Sequence, residues 1–257
     1  WPIRELSEKY TIFQRAMASS ERVFDLLDTQ PHIVDPAHPK QLQTMNSSIE
    51  FQNVSFAYKD DDYVLNNVSF RIEPGEKVAI VGATGSGKTT LINLLCRFYE
   101  IEEGQILIDG LDIRQMKLDN LRKRIGIVQQ DIFLFTGTIG SNINLSNTTI
   151  QPDQIVAAAK EVYLDPFVQN MPSGYDSEVK EGGSGLSVGQ KQLVAFARAL
   201  AFNPDILILD EATSSVDTET EHLIQGALSR LMSNRTFIAI AHRLSTIQNV
   251  DKILVMH

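Results

Sequence analysis

The spacing of apolar positions changes character three times along the chain. Leu6, Tyr10, Phe13, Met17, Ser20, Phe24 and Leu27 recur at alternating steps of four and three, which predicts an amphipathic helix over residues 4 to about 28. The same seam suits a partner helix or the core of this chain. Pro31, Pro36 and Pro39 then mark a linker, assigned to residues 29–48. From Ile49 the period shortens to two, predicting strands over Ile49–Ala57 and Val64–Ile72 joined by a polar turn, Lys59-Asp60-Asp61-Asp62. The acidic triplet could hold a metal, but a solvated hairpin tip explains it as well.

Continuous apolar runs follow, alternating with helical patterns. Val78-Ala79-Ile80-Val81, Gln105–Ile108, Ile125–Val128, Ile206–Leu209, Phe237–Ala241 and Ile253–Val255 read as strands. Helical patterns cover residues 91–95, 118–123, 187–201 and about 218–232, and Pro152, Pro166 and Pro172 punctuate a mainly helical stretch over 132–186. Strands that are apolar throughout need cover on both faces, so this alternation predicts an α/β fold with a mostly parallel sheet. The antiparallel opening and a helical subdomain at about 132–202 are additions to that core.

Composition narrows the picture. With 43% apolar and 21% charged residues the 257-residue chain has a globular balance. No apolar run approaches the roughly 18 residues that would cross a bilayer. A net charge of −9 argues against sequence-independent nucleic-acid binding, which needs many cation–phosphate contacts. The single cysteine, Cys96, lies on an apolar face and is expected to be a buried thiol in a reducing compartment. Trp1 at the start and the strand-like Lys252–His257 at the end read as the limits of a piece of a longer chain.

Gly82-Ala83-Thr84-Gly85-Ser86-Gly87-Lys88-Thr89 sits between the apolar strand at 78–81 and the helix at 91–95. Strand, glycine-rich loop, helix is the context in which GxxxxGK[ST] cradles phosphates: backbone N–H groups and the helix terminus face the anion, Lys88 reaches the outer phosphates, and the Thr89 hydroxyl can ligate Mg²⁺. A tight strand–helix turn is the plain alternative. Asp210-Glu211 closes the strand at 206–209, and strand carboxyl ends border the ligand crevice in open α/β sheets. That places Asp210 to hold Mg²⁺ and Glu211 to take a proton from the water attacking a γ-phosphate. Ser187 and Gln190 have capping-box spacing, so a second helix N-terminus, preceded by Gly182-Gly183-Ser184-Gly185, offers a second anion site. Two anion sites about 100 residues apart with one P-loop suggest a nucleotide shared between subunits.

Taken together, Gly82–Thr89, Leu186–Gln190, Ile206–Glu211 and His242 resemble the nucleotide-binding domain of an ATP-binding cassette (ABC) transporter of exporter type. The resemblance covers nearly the whole chain and implies the ABC ATPase fold over 49–257, with residues 1–28 as the cytoplasmic extension of a last transmembrane helix. It implies a cassette at the cytoplasmic face of a membrane, with ATP and Mg²⁺ as ligands. The partners implied are a second cassette, in a homo- or heterodimer, and a transmembrane domain of the same polypeptide; nucleic acid is not among them. It places Tyr58 against adenine, and Gly82, Thr84, Gly85, Ser86, Gly87, Lys88, Thr89 and Thr90 on phosphates and Mg²⁺. Gln130 would touch Mg²⁺ and the attacking water; Ser187, Gly189 and Gln190 would meet the γ-phosphate of the opposite subunit. Asp217 would cross the dimer interface, and His242 would bridge the γ-phosphate to Glu211.

Three positions depart from the family pattern. Val188 stands where glycine is usual and is expected to cost backbone freedom; Gly182 replaces an arginine, and Ser141 a glutamate. An off-consensus signature beside an intact Asp210-Glu211 pair looks like one half of a heterodimeric multidrug exporter, with a homodimer also open. The function implied is ATP-driven export of a hydrophobic drug or lipid. A soluble ABC-type ATPase acting on nucleic acid or ribosomes is the alternative from another class.

Overall fold

The computed structural model describes residues 2–42, 46–59, 62–210, 218–240 and 249–257, which form two compact units that divide between Val34 and Asp35. The first holds helix α1, Pro2–Asp28. Proline is accommodated at a first helical position because its missing N–H has no intrahelical acceptor there. Glu5 complements the helix dipole, and Arg4–Glu8 and Lys9–Glu5 pair one turn apart at 3.3 and 3.5 Å. None of the 27 residues is buried, and Leu6 and Leu27 are each 71% exposed. Within its own unit the helix buries no part of its apolar seam. Among the described residues no helix is long and apolar enough to cross a membrane.

The second unit begins within the expected linker. Asp35 caps a short helix 83 residues away by accepting from the Leu118 N–H at 2.7 Å. The Asp109 carboxylate gathers the N–H groups of Asn46, Ser47 and Ser48 at 2.9–3.1 Å. Backbone amides that enter no ladder find side-chain partners here, which fixes the approach to the first strand.

That strand, β1 (Ile49–Ala57), pairs antiparallel with β2 (Tyr63–Ile72), as the alternating pattern predicts, one residue longer at its start. Phe51 faces Phe70 across the pair with rings stacked at 4.5 Å. The register shifts past Phe51, where Asn53 takes φ 51°; opposite it Gly104 has φ 82°, and a Cβ there would collide with the Asn53 and Gln52 carbonyls. β4 (Glu103–Ile108) and β5 (Leu111–Asp112) complete a four-stranded sheet ordered β2-β1-β4-β5.

The second sheet is parallel, ordered β11-β3-β10-β9-β6. Its strands are β3 (Lys77–Gly82), β6 (Ile125–Val128), β9 (Ile206–Asp210), β10 (Thr236–Ile240) and β11 (Lys252–Met256). Central β10 is buried at every residue, with Ala239 opposite both Ala79 and Leu209. Helices α2 (Lys88–Leu95) and α3 (Leu118–Lys123) accompany it. Buried Val78, Ile80, Leu91 and Leu94 join Phe51 and Ile106 in one hydrophobic cluster, so the two sheets share a core around α2. Cys96 ends α2 at 1% exposure, and burial pushes its thiol pKa up to about 12.

Residues 132–186 are less helical than their pattern suggests. Helices α4 (Ile139–Asn144), α5 (Pro152–Glu161) and α6 (Asp165–Gln169) are short, and β7 (Gly137–Thr138) pairs with β8 (Glu178–Val179). Pro152 and Pro166 sit in the first turns of α5 and α6, where a missing N–H is tolerated, so each opens a new short helix and turns fill the chain between them. Helix α7 (Val188–Ala201) packs on α4 and α5, and with α8 (Thr218–Leu231) contributes to a second cluster that reaches the parallel sheet through Val128, Leu207 and Leu209. Ala241, expected to end β10, lies outside the described residues.

Candidate functional site

The loop between β3 and α2 is built around two left-handed glycines, Gly85 at φ 85° and Gly87 at φ 89°. At Gly87 a Cβ would lie 2.7 Å from Leu65 Cδ2 and 3.2 Å from the Val64 carbonyl, so both space and backbone conformation require glycine. Lys88 opens α2 at 6% exposure, and its ammonium donates to the carbonyls of Gly82 at 3.0 Å and Ala83 at 2.8 Å. This buried ammonium, held by two neutral carbonyls with the Ser86 hydroxyl at 3.5 Å, pairs with no carboxylate among the described residues and so is placed to meet an incoming anion.

Around this loop lies a cavity of about 380 Å³, within the usual range for small-molecule sites. Its walls bring together residues from four separate stretches of sequence: Tyr58, the loop residues Thr84, Gly85, Gly87, Lys88, Thr89 and Thr90, Gln130 beyond β6, and Asp210 at the end of β9. Thr89 and Gln130 are exposed to it, whereas Thr90 is 4% exposed. Tyr58 is 46% exposed rather than core, held edge-on between Phe56 and Tyr99 at ring distances of 5.0 Å. Its hydroxyl lies 3.1 Å from Thr90 Oγ1. Gly82 and Ser86 shape the loop from behind, through the Lys88 bond and a Ser86 N–H bond to the Ala83 carbonyl at 3.1 Å.

Val64 and Ile240 also line the cavity and were not singled out from sequence. Apolar residues on strands carry no chemical signal, and only the fold brings them beside the loop. A Thr89 hydroxyl, a Gln130 amide and an Asp210 carboxylate bordering one space form an all-oxygen donor set, the chemistry that suits Mg²⁺.

Ser187, Gly189 and Gln190 do not border this cavity; they open α7 elsewhere. The capping box is formed: Ser187 Oγ accepts from the Gln190 N–H at 3.2 Å, and Gln190 Oε1 accepts from the Ser187 N–H at 2.8 Å. As an acceptor in that bond, the Ser187 hydroxyl keeps its own proton to donate to an anion. Val188 begins the helix without a left-handed φ and is 49% exposed, so the expected loss of backbone freedom carries little strain. Ser141 closes a second capping box with Thr138, doing at α4 what a glutamate would do. Gly182 takes φ 64°, and its carbonyl accepts from Lys191 Nζ at 2.8 Å. Glu211, Asp217 and His242 lie outside the described residues, as do Asp60 and Asp61 of the acidic turn.

A larger cavity of about 510 Å³ lies between α3, β6 and α7. Its cations are already engaged, Arg122 with the Cys96 and Arg97 carbonyls, Lys123 with Asp119, and Arg198 with the Asn142 and Phe133 carbonyls. Volume alone does not make it the phosphate site.

Comparison with known proteins decides the family. Residues 65–214 match the family model described as "ABC transporter". The chain belongs to the ABC transporter family. An ABC fatty acid transporter ATP-binding/permease protein of Mycobacterium bovis is 49% identical over 255 residues, covering 99% of this chain and 40% of the relative. An ATP-dependent lipid A-core flippase of Syntrophus aciditrophicus is 47% identical, covering 99% of this chain and 42% of the relative. The solved structure of a bacterial Atm1-family ABC exporter with ATP bound superposes with a TM-score of 0.85 at 43% identity, over 96% of this chain and 43% of that one. This ABC cassette thus spans about two fifths of the length of the relatives it matches. It has the ABC ATPase fold and is an ATP-binding, ATP-hydrolysing domain.

Proposed function

We propose that the chain is the ATPase cassette of an exporter, in which ATP bound at the 380 Å³ cavity of one subunit is closed over by the Ser187 helix of another. The observation that supports this most is the gathering of Tyr58, the Lys88 loop, Gln130 and Asp210 around one cavity while a second capped helix terminus stands apart from it. A capped helix terminus that does not border its own chain's cavity is suited to serve a neighbour's. Tyr58 offers a stacking face to adenine, the 82–90 loop its N–H groups and Lys88 to the phosphates, and Ser187, Gly189 and Gln190 a donor edge to the γ-phosphate from across the interface. Asp217 would sit at that interface.

Thr89, Gln130 and Asp210 would hold Mg²⁺. The ion would supply charge neutralisation across the outer phosphates. Glu211, next to Asp210 at the strand end, accepts a proton as water attacks the γ-phosphorus and the bond to ADP breaks; Gln130 orients that water and His242 steadies the γ-phosphate beside Glu211.

The exposed seam of α1 suits a partner helix, in keeping with a helix that runs on from a transmembrane domain at the cytoplasmic face of a membrane. Relatives named as a fatty acid transporter and a lipid A-core flippase favour a hydrophobic, lipid-like cargo. The direct test is Glu211→Gln. ATP binding should persist while turnover falls by about 10²–10⁴, the range for losing a general base. Unchanged turnover would remove Glu211 from the mechanism.

A further inference from the structure

Arg198 lies in the last turn of α7, eleven residues beyond Ser187 at the capped start, a separation of about 16 Å along the helix axis. Its guanidinium donates through Nε to the Asn142 carbonyl at 2.8 Å and through Nη2 to the Phe133 carbonyl at 3.3 Å. Burial lowers its pKa, and among the described residues no carboxylate pairs with it. A half-buried guanidinium without a counter-ion is costly unless its donors are used, and here Nε and Nη2 both donate to main-chain carbonyls of one segment.

That segment begins three residues after Gln130. It is stiffened internally by Asn142, 1% exposed, whose amide receives the Phe135 N–H at 2.8 Å and donates to the Phe135 and Thr138 carbonyls at 2.8 and 3.0 Å. Leu134 within it is fully buried in the same cluster as Leu193, Val194 and Phe196 of α7. The chain leaving Gln130 is thereby fastened to α7 by a two-armed hydrogen-bonded fork and by packing.

We propose that Arg198 is a positioning residue that links the two nucleotide sites of a cassette pair. This rests on the reading given under Proposed function, in which Ser187 meets the partner's nucleotide and Gln130 serves its own. Helix α7 then has its N-terminal end on one nucleotide and its C-terminal end, through Arg198, on the backbone that sets Gln130 at the other. Closure on the first nucleotide shifts α7 as a rod, and the fork carries that shift to Phe133 and so to Gln130. A lysine cannot reproduce the fork, because a single ammonium replaces two donors held in fixed directions.

The test is steady-state ATP hydrolysis by Arg198→Lys, Gln130→Ala and the double variant in the native polypeptide. Arg198→Lys should lower kcat by about tenfold with KM within about twofold, and bring the Hill coefficient for ATP towards one, the pattern of an interaction lost only in the reacting state. The double variant should be no slower than Gln130→Ala alone, since Arg198 acts through Gln130. Full turnover and cooperativity in Arg198→Lys, or losses that multiply in the double variant, would overturn the proposal while leaving the reading of the site intact. A Gln130→Ala enzyme of normal activity would overturn both. A measurement on the unmodified protein covers the case of a variant that does not fold: as ATP is titrated, amide exchange across residues 133–142 and across the first turn of α7 should slow in step. Protection of α7 with none across 133–142 would overturn the proposal.

Discussion

The hydroxyl of Tyr58 sits 3.1 Å from Oγ1 of Thr90, joining the end of β1 to the first turn of α2. On the proposed reading, the ring that would meet the base and the loop that would meet the phosphates are therefore one unit, although 32 residues separate them. A ligand that spans both ends meets two surfaces already held at a fixed distance, which lowers the ordering cost of binding.

Two substitutions at Tyr58 separate the ring from the hydroxyl. Tyr58→Phe removes one partly buried hydrogen bond and should cost about 0.5–1.5 kcal/mol of stability, with ATP affinity changed only a few-fold. Tyr58→Ala removes the stacking face as well and should weaken ATP by about 1–3 kcal/mol, roughly 5- to 150-fold, on the scale of base–aromatic stacking. Calorimetric titration with ATP distinguishes them. Equal affinities for the two variants would mean that the ring does not meet the base.

Lys88 tests the other end of the ligand. Lys88→Ala deletes the charge poised on the Gly82 and Ala83 carbonyls and should weaken ATP by tenfold or more, while adenosine, which lacks phosphate, binds as before. Normal ATP affinity in a titration would show that the backbone of the loop suffices.

Cys96 gives a pH prediction away from the site. Its pKa in the folded chain is about 12 against an ordinary value of 9.0, raised by burial although Arg122 opposes the shift. Below pH 9 the thiol is neutral in both states and costs nothing. Above it the unfolded chain ionises first and binds fewer protons, so stability falls as pH rises from 9 towards 12, by at most about 4 kcal/mol from this group. Denaturant midpoints for wild type and Cys96→Ala should therefore converge as the pH is raised through that window. A constant difference between them would contradict the assignment. In the folded protein at pH 8 the thiol should also resist alkylation.

Much of this was written in the sequence, for a physical reason. Strands such as Ile206–Asp210 and helices such as α3 are set by local pattern, and Ser187 with Gln190 announced a capping box that is present atom for atom. What pattern could not supply is what tertiary packing decides. The β7–β8 pair consists of two-residue strands 40 positions apart, too short for any periodicity to register. Tyr58 ends a strand with the look of core, and its exposure follows from its place above the loop. Arg198 is one arginine in an otherwise ordinary helix; its two carbonyl acceptors exist only once α4 has packed against α7.

The central claim is that each nucleotide is held by two chains, Lys88 of one and Ser187 of the other. Two variants, each unable to hydrolyse ATP, test it by mixing: Lys88→Ala, which lacks the loop charge, and Ser187→Glu, which sets a carboxylate against the γ-phosphate. In a mixed pair the intact loop of the second faces the intact Ser187 of the first, so hydrolysis should return when the two are combined and reassembled. A mixture as inactive as its separate components would contradict the account.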